Sequence, residues 1–105
     1  MMSYTKIIQE KSVLGYNCVL YARSRKPNLP FGLFTLAQKL HIINSKKPKV
    51  GAVAIIDTGQ QWGHVAIVTF IGKQHITIQE SNWISGKITE RHGSESDLNI
   101  RGYFI

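Results

Sequence analysis

Apolar residues recur along this chain with two periods, and the change falls near Val50. Before it the spacing is helical or irregular. In "TKIIQEKSV" the residues Ile7, Ile8 and Lys11 fall on one side of a helix, so the pattern predicts a short helix there. In "TLAQKLHIIN", Leu36, Leu40 and Ile43 recur at helical spacing. Thr35 and Gln38 read as a capping box, each side chain accepting from the other residue's backbone N–H. Between these segments stands "NCVLYARS". Asn17 is a good N-cap, since its side-chain oxygen accepts from the unpaired N–H groups of a first turn, and a helix is predicted from Cys18 to about Ser24. "KPNLPFGLF", with two prolines, reads as a loop. After Val50 the period becomes two. "VGAVAIID", "HVAIVTFIG", "HITIQES", "GKITER" and "IRGYFI" read as five strands joined by short, glycine-containing connections, hence antiparallel neighbours in a meander. Helices first and an antiparallel sheet afterwards make an α+β layout.

A length of 105 residues suits one domain, 1–105. With 43% hydrophobic and 18% charged residues the chain is globular and not disordered. No apolar run approaches the roughly 18 residues of a spanning helix. The start, "MMSYTKIIQEKSV", lacks the apolar stretch of a signal peptide, so the chain is expected to be made in the cytoplasm and released to any target beyond it. One cysteine excludes an internal disulfide. The net charge of +7 favours a polyanionic partner: nucleic acid, anionic lipid or an anionic cell wall. The basic residues cluster in "RSRK" and "SKKPK", runs that are usually solvated loops. No nucleic-acid-binding motif is present, so nucleic acid is not the expected partner; the chain is expected to be a monomer.

Candidate chemistry comes from both halves, Cys18 from the first and His64, Glu80 and Asn82 from the second. A lone cysteine is usually a small buried hydrophobe. Cys18, however, opens a helix, where a thiol is more readily ionised. His64 leads a strand and points with Ala66, Val68 and Phe70. Glu80 and Asn82 share a face of the next strand with Ile78. A hairpin turning near Gly72–Lys73–Gln74 brings residues 64 and 80 to the same end, so Glu80 or Asn82 can hydrogen-bond the imidazole. Thiol catalysis needs these three parts: a thiolate, a base and a group that fixes the base's tautomer. Trp62 and Trp83 flank His64 and Asn82 and read equally as groove walls or as packing, as does Tyr16. Ser81 should face the other way and be structural. His41, His75 and His92 read as surface histidines. Zinc is not expected, because the paired ligand spacings of zinc sites are absent.

Taken in order, "GYNCVLYARSR", "PNLPFGL", "VGAVAI", "WGHVAIV" and "ITIQESNW…GKITER" resemble the CHAP family, the cysteine- and histidine-dependent amidohydrolases/peptidases of the papain-like (NlpC/P60) superfamily. The resemblance runs from about Gly15 to the C-terminus. It implies a papain-like fold with N-terminal helices packed on an antiparallel sheet of about five to six strands. It also implies hydrolysis of bacterial peptidoglycan, at a peptide bond or the N-acetylmuramoyl-L-alanine amide, as in phage endolysins, virion-associated lysins and bacterial wall-remodelling enzymes. Residue by residue it gives Cys18 as nucleophile, His64 as base, Glu80 as orienting acid and Asn82 as a further polar partner, with no cofactor. Tyr16, Asn17, Trp62 and Trp83 become candidate substrate contacts. Family members often carry Gln before the nucleophile; here Asn17 stands there, and capping is its stronger reading. Some phage members bind calcium ahead of the nucleophile, but "IIQEKSVLGYN" offers one carboxylate, Glu10, so no metal is expected. No separate wall-binding segment is recognisable. The competing class is a basic, non-catalytic module binding cell wall or nucleic acid, which gives no reason for Cys18, His64 and Glu80 to occur together.

Overall fold

A computed structural model of the chain describes residues 3–105. Strand β1 (Tyr4–Gln9) is followed by a 3-10 turn over Val13–Tyr16. Helices α1 (Cys18–Arg25) and α2 (Leu36–His41) come next, then strands β2 (Val53–Ile56), β3 (His64–Ile71), β4 (Ile76–Ser81), β5 (Ile88–Gly93) and β6 (Ile100–Phe104). All six strands lie in one antiparallel sheet of order β1-β5-β4-β3-β2-β6. The fold is α+β and mostly β.

Two expectations about the order of elements are corrected, and a third, on Phe70, below. The segment "TKIIQ" is the edge strand β1, paired with β5, and not a helix. All six of its residues are exposed, so it carries no alternation of buried and exposed positions. The meander holds from β2 to β5, but β6 pairs with β2 at the far side of the sheet. Its connection, residues 94–99, crosses one face and is held there by Leu98 in the core and by the Tyr103 hydroxyl donating to Glu95.

That face buries Ala54, Ile56, Ala66, Val68, Ile76 and Ile78. The opposite face packs Val53, Ile55, Val65 and Ile67 against Ala22 of α1 and against Leu29 and Leu33 of the proline loop. Thr35 and Gln38 form the expected capping box at the start of α2. A bulge at Thr69 shifts the β3–β4 register between Val68 and Phe70. One extra residue reverses the face of all that follow. Phe70 therefore leaves the face of Val68 and stands 53% exposed, contrary to the regular alternation expected from His64.

Candidate active site

The site is built on three backbones that converge at the start of α1. Asn17 is extended, and its Oδ1 accepts from the N–H groups of Val19 (3.0 Å) and Leu20 (3.1 Å). Cys18 is thus the first residue of the helix, where the dipole favours an anion. Two contacts fix this end. Ser81 Oγ donates to the Asn17 carbonyl at 2.9 Å, tying the cap to the end of β4. Gly15 lies against the β4–β5 turn so closely that a Cβ there would come within 2.3 Å of the Gly86 carbonyl carbon. Only glycine lets the two backbones meet.

His64 enters from a tight turn. Gly63 has φ +64°, and a Cβ on it would lie 2.8 Å from the Leu36 side chain, so both conformation and space call for glycine just before the histidine. His64 Nε2 lies 3.1 Å from Glu80 Oε1. With Glu80 ionised, Nε2 carries the proton and donates, which leaves Nδ1 to face Cys18. Glu80 is completely buried. It accepts from Arg91 Nη2 at 2.8 Å, from Arg91 Nε at 3.0 and 3.1 Å, and from Thr89 Oγ1 at 3.2 Å. A buried charge persists only when paired and fully hydrogen-bonded, and Glu80 meets that condition through Arg91. The Trp83 ring closes the arrangement, with the Arg91 guanidinium 3.5 Å above its centroid and the His64 ring 5.5 Å away.

The electrostatics follow from these contacts. Burial pushes the Cys18 thiol up, but His64, the Val65 N–H and the Lys39 ammonium together bring it below its ordinary value. Burial pushes His64 down, and Cys18 and Glu80 together hold it above its ordinary value. Burial raises Glu80, while His64 and Arg91 more than reverse this. All three shifts favour a thiolate beside an imidazolium, backed by an ionised carboxylate.

Cys18 and His64 open on a cleft of about 460 Å³ lined also by Thr58, Gln60, Trp62, Gly63, Asn82 and Trp83. Trp62 (54% exposed) and Trp83 (41%) form its walls. Its other lining residues are uncharged. Asn82 follows the end of β4 with φ +62°, so it leaves the strand alternation expected to align it with Glu80; it lines the cleft, while the imidazole takes Glu80 as its partner. Tyr16 lines a separate cleft of about 600 Å³ with Lys11, Val13 and Gly86. Asn17 acts through its capping oxygen.

Sequence reasoning missed Arg91, Thr89 and Lys39. It also took His92 for a surface residue, whereas it is 6% exposed with Nδ1 2.7 Å from the Thr77 hydroxyl. An arginine on an alternating strand reads as solvated; the one available signal is that Arg91 stands two places from Thr89 on the strand neighbouring Glu80. Among the described residues no cluster of His, Cys, Asp and Glu could hold a metal ion, and no helix is long and apolar enough to cross a membrane.

The family model of the CHAP domain matches residues 9–82, which include Cys18, His64, Glu80 and Asn82 and end short of Thr89 and Arg91. No curated protein and no solved structure matches the chain. The match spans most of the sequence, and the chain belongs to the CHAP domain family, whose members are generally amidohydrolase or peptidase domains.

Proposed function

We propose that this CHAP-domain chain hydrolyses an amide or peptide bond of bacterial peptidoglycan by a thiol mechanism on a papain-like scaffold. The observation that carries the proposal is the succession Cys18, His64, Glu80 at an open cleft, with Glu80 fully buried and clamped by Arg91. A structural cysteine needs no such partners. The family's association with peptidoglycan hydrolysis supplies the substrate class. The finer reading, a phage-type lysin that meets the wall after release from the cytoplasm, is supported by the sequence resemblance and the +7 charge.

In this mechanism the Cys18 thiolate attacks the carbonyl carbon, and the carbonyl π pair moves onto oxygen. Asn17 occupies the Val19 and Leu20 N–H groups, leaving the Cys18 N–H as the first-turn donor for that oxyanion. The imidazolium gives its Nδ1 proton to the leaving nitrogen, the C–N bond breaks, and a thioester remains on Cys18. Water, deprotonated by His64, attacks the thioester. The tetrahedral adduct collapses, the C–S bond breaks and Cys18 leaves as the thiolate beside the imidazolium that took the water's proton, while the acid product departs and gives its own proton to solvent. Glu80 keeps the imidazole in the required tautomer throughout and stabilises its cation. The cycle needs no cofactor.

The direct test is digestion of purified peptidoglycan followed by mass spectrometry. The expected products carry one new amine and one new carboxylate per cut, and their masses identify the bond. A chain that binds the sacculus without releasing fragments would refute the proposal in favour of a non-catalytic module.

A further inference from the structure

Lys39, on α2, is 3% exposed, although lysine is rarely buried without a partner. Its Nζ donates to the Trp62 carbonyl at 2.7 Å. No carboxylate among the described residues lies within 4.0 Å of it. The chain has six acidic residues. Glu80 is held by Arg91 and His64, Glu10 by Lys87, and Asp57 by Arg101. Glu90 accepts from Tyr4 and Gln79, and Glu95 from Tyr103. Asp97 is exposed. An ammonium out of water with one carbonyl for company is costly. Its geometric link to the site is the Trp62 carbonyl, in the segment that lines one cleft with Cys18 and His64, and from there each of Lys39 and Cys18 favours the other's charged form.

We propose that Lys39 is a positioning residue of the active site: its buried ammonium anchors the Trp62 carbonyl, two residues before His64, and stands as a second counter-charge to the Cys18 thiolate. The inference rests on Cys18 being the nucleophile. The charges around the site are then legible. Arg91 balances Glu80, His64 balances Cys18, and Lys39 adds one positive charge that biases the cleft toward the thiolate. The other groups on the packed elements do not compete. Arg23 is bound to the Leu29 and Pro30 carbonyls, and Arg25 to Tyr21 and Gln79, both at the far end of α1. Glu80 and Arg91 act on the thiol through His64.

The same cation has a structural effect. The segment carrying Trp62, Gly63 and His64 is held from α2 twice, by the Lys39 ammonium and by the Leu36 N–H donating to the Gln61 carbonyl at 2.7 Å. The helix therefore sets both the position of the base and part of the field at the nucleophile. A hydrophobic residue at 39 would keep the packing and lose both polar effects.

The test is the rate of Cys18 alkylation by iodoacetamide against pH, in the full chain and in Lys39→Met and Lys39→Arg. The single cysteine makes the reaction assignable. Lys39→Met should move the thiolate midpoint upward by on the order of one pH unit and slow alkylation several-fold at pH 6, with Lys39→Arg retaining most of the wild-type profile. A folded Lys39→Met chain with the wild-type midpoint would overturn the proposal while leaving the nucleophile intact. A wild-type thiol that titrates near the free value of about 8.5 would instead overturn the nucleophile reading itself. A second measurement needs no Lys39 variant. In Cys18→Ala the Lys39 side-chain carbon resonances should titrate at lower pH than in the wild type, because the ammonium has lost its counter-charge. An unchanged titration would refute the pairing.

Discussion

Two buried histidines lean on the same strand and differ in charge. His64 is 4% exposed and His92 6%. Each bonds a β4 side chain through one ring nitrogen, His64 to Glu80 at 3.1 Å and His92 to the Thr77 hydroxyl at 2.7 Å. Each lies beside an aromatic ring, Trp83 for the first and Tyr4 for the second. Yet His64 is held above its ordinary value, whereas burial and the neighbouring His75 push His92 below it. Glu80 and Thr77 are three residues apart and therefore face opposite sides of the sheet. On one side a clamped carboxylate stabilises an imidazolium; on the other, burial and the neighbouring His75 outweigh the Glu90 carboxylate and favour the neutral ring. A base is made by its charged partners, and burial alone works against it.

The largest effect on this contrast is expected from removing Cys18, the proposed nucleophile. Cys18→Ala and Cys18→Ser should lower hydrolysis to background, a loss on the order of a thousandfold or more, with an unchanged circular dichroism spectrum. Residual turnover near wild type would mean that the contrast has no catalytic meaning.

Replacing the carboxylate should make the two histidines alike. In Glu80→Gln the imidazolium loses its charged partner, and turnover should fall by about 10² to 10⁴. Asn82→Ala should cost less, since Asn82 lines the cleft without holding the ring. The ratio of the two turnover numbers checks this, and a larger loss in Asn82→Ala would reassign the orienting role.

Removing Arg91 strands Glu80 as a buried, partly paired charge. Arg91→Ala should destabilise the chain by about 3–5 kcal/mol in chemical denaturation. A loss under about 1 kcal/mol would show that water reaches Glu80 and that the clamp is not needed.

The sheet and its site were not equally legible in the sequence. Asn17 and Cys18 announced a helix start, and His64 with Glu80 announced a shared strand end, because capping and period two are local rules. The exposed strand β1 escaped, since an edge strand with both faces in water has no alternation to read, and Ile7 with Ile8 then mimics a helix face. The β6 crossover escaped because nothing local fixes which side of a sheet a last strand joins. Arg91 and Lys39 escaped for one shared reason. A basic residue in an amphipathic pattern reads as solvated, and only the β4–β5 register and the α2 packing turn them inward.

Smaller effects appear in titrations. By proton NMR, His64 should titrate above about 6.5 and His92 below it. The signs carry into stability. His64, raised, contributes below its ordinary value and loses that contribution as pH rises through its folded value. His92, lowered, contributes above its ordinary value and loses that contribution as pH falls through its folded value. Activity should span the window from the depressed Cys18 value up to the raised His64 value. A reversed order of the two histidines would contradict the role given to Glu80.

The smallest effect concerns the surface. Lys46 donates to the Arg101 carbonyl, while Lys47 and Lys49 are exposed. Neutralising Lys47 and Lys49 should raise the amount of enzyme needed to clear whole cells at low salt by a few-fold, leaving cleavage of a short neutral peptide unchanged. Equal losses in both assays would place these residues in the site or the fold.

The proposed mechanism requires that Cys18 become covalently acylated by a wall-derived carbonyl with His64 as its base. Its most direct test is intact-mass spectrometry of the chain quenched in acid during peptidoglycan digestion. An adduct of the cleaved acyl fragment is expected on the peptide containing Cys18, accumulating in the wild type and absent from Cys18→Ala and His64→Ala. Fragment release with no adduct on Cys18, continuing undiminished in Cys18→Ala, would contradict it.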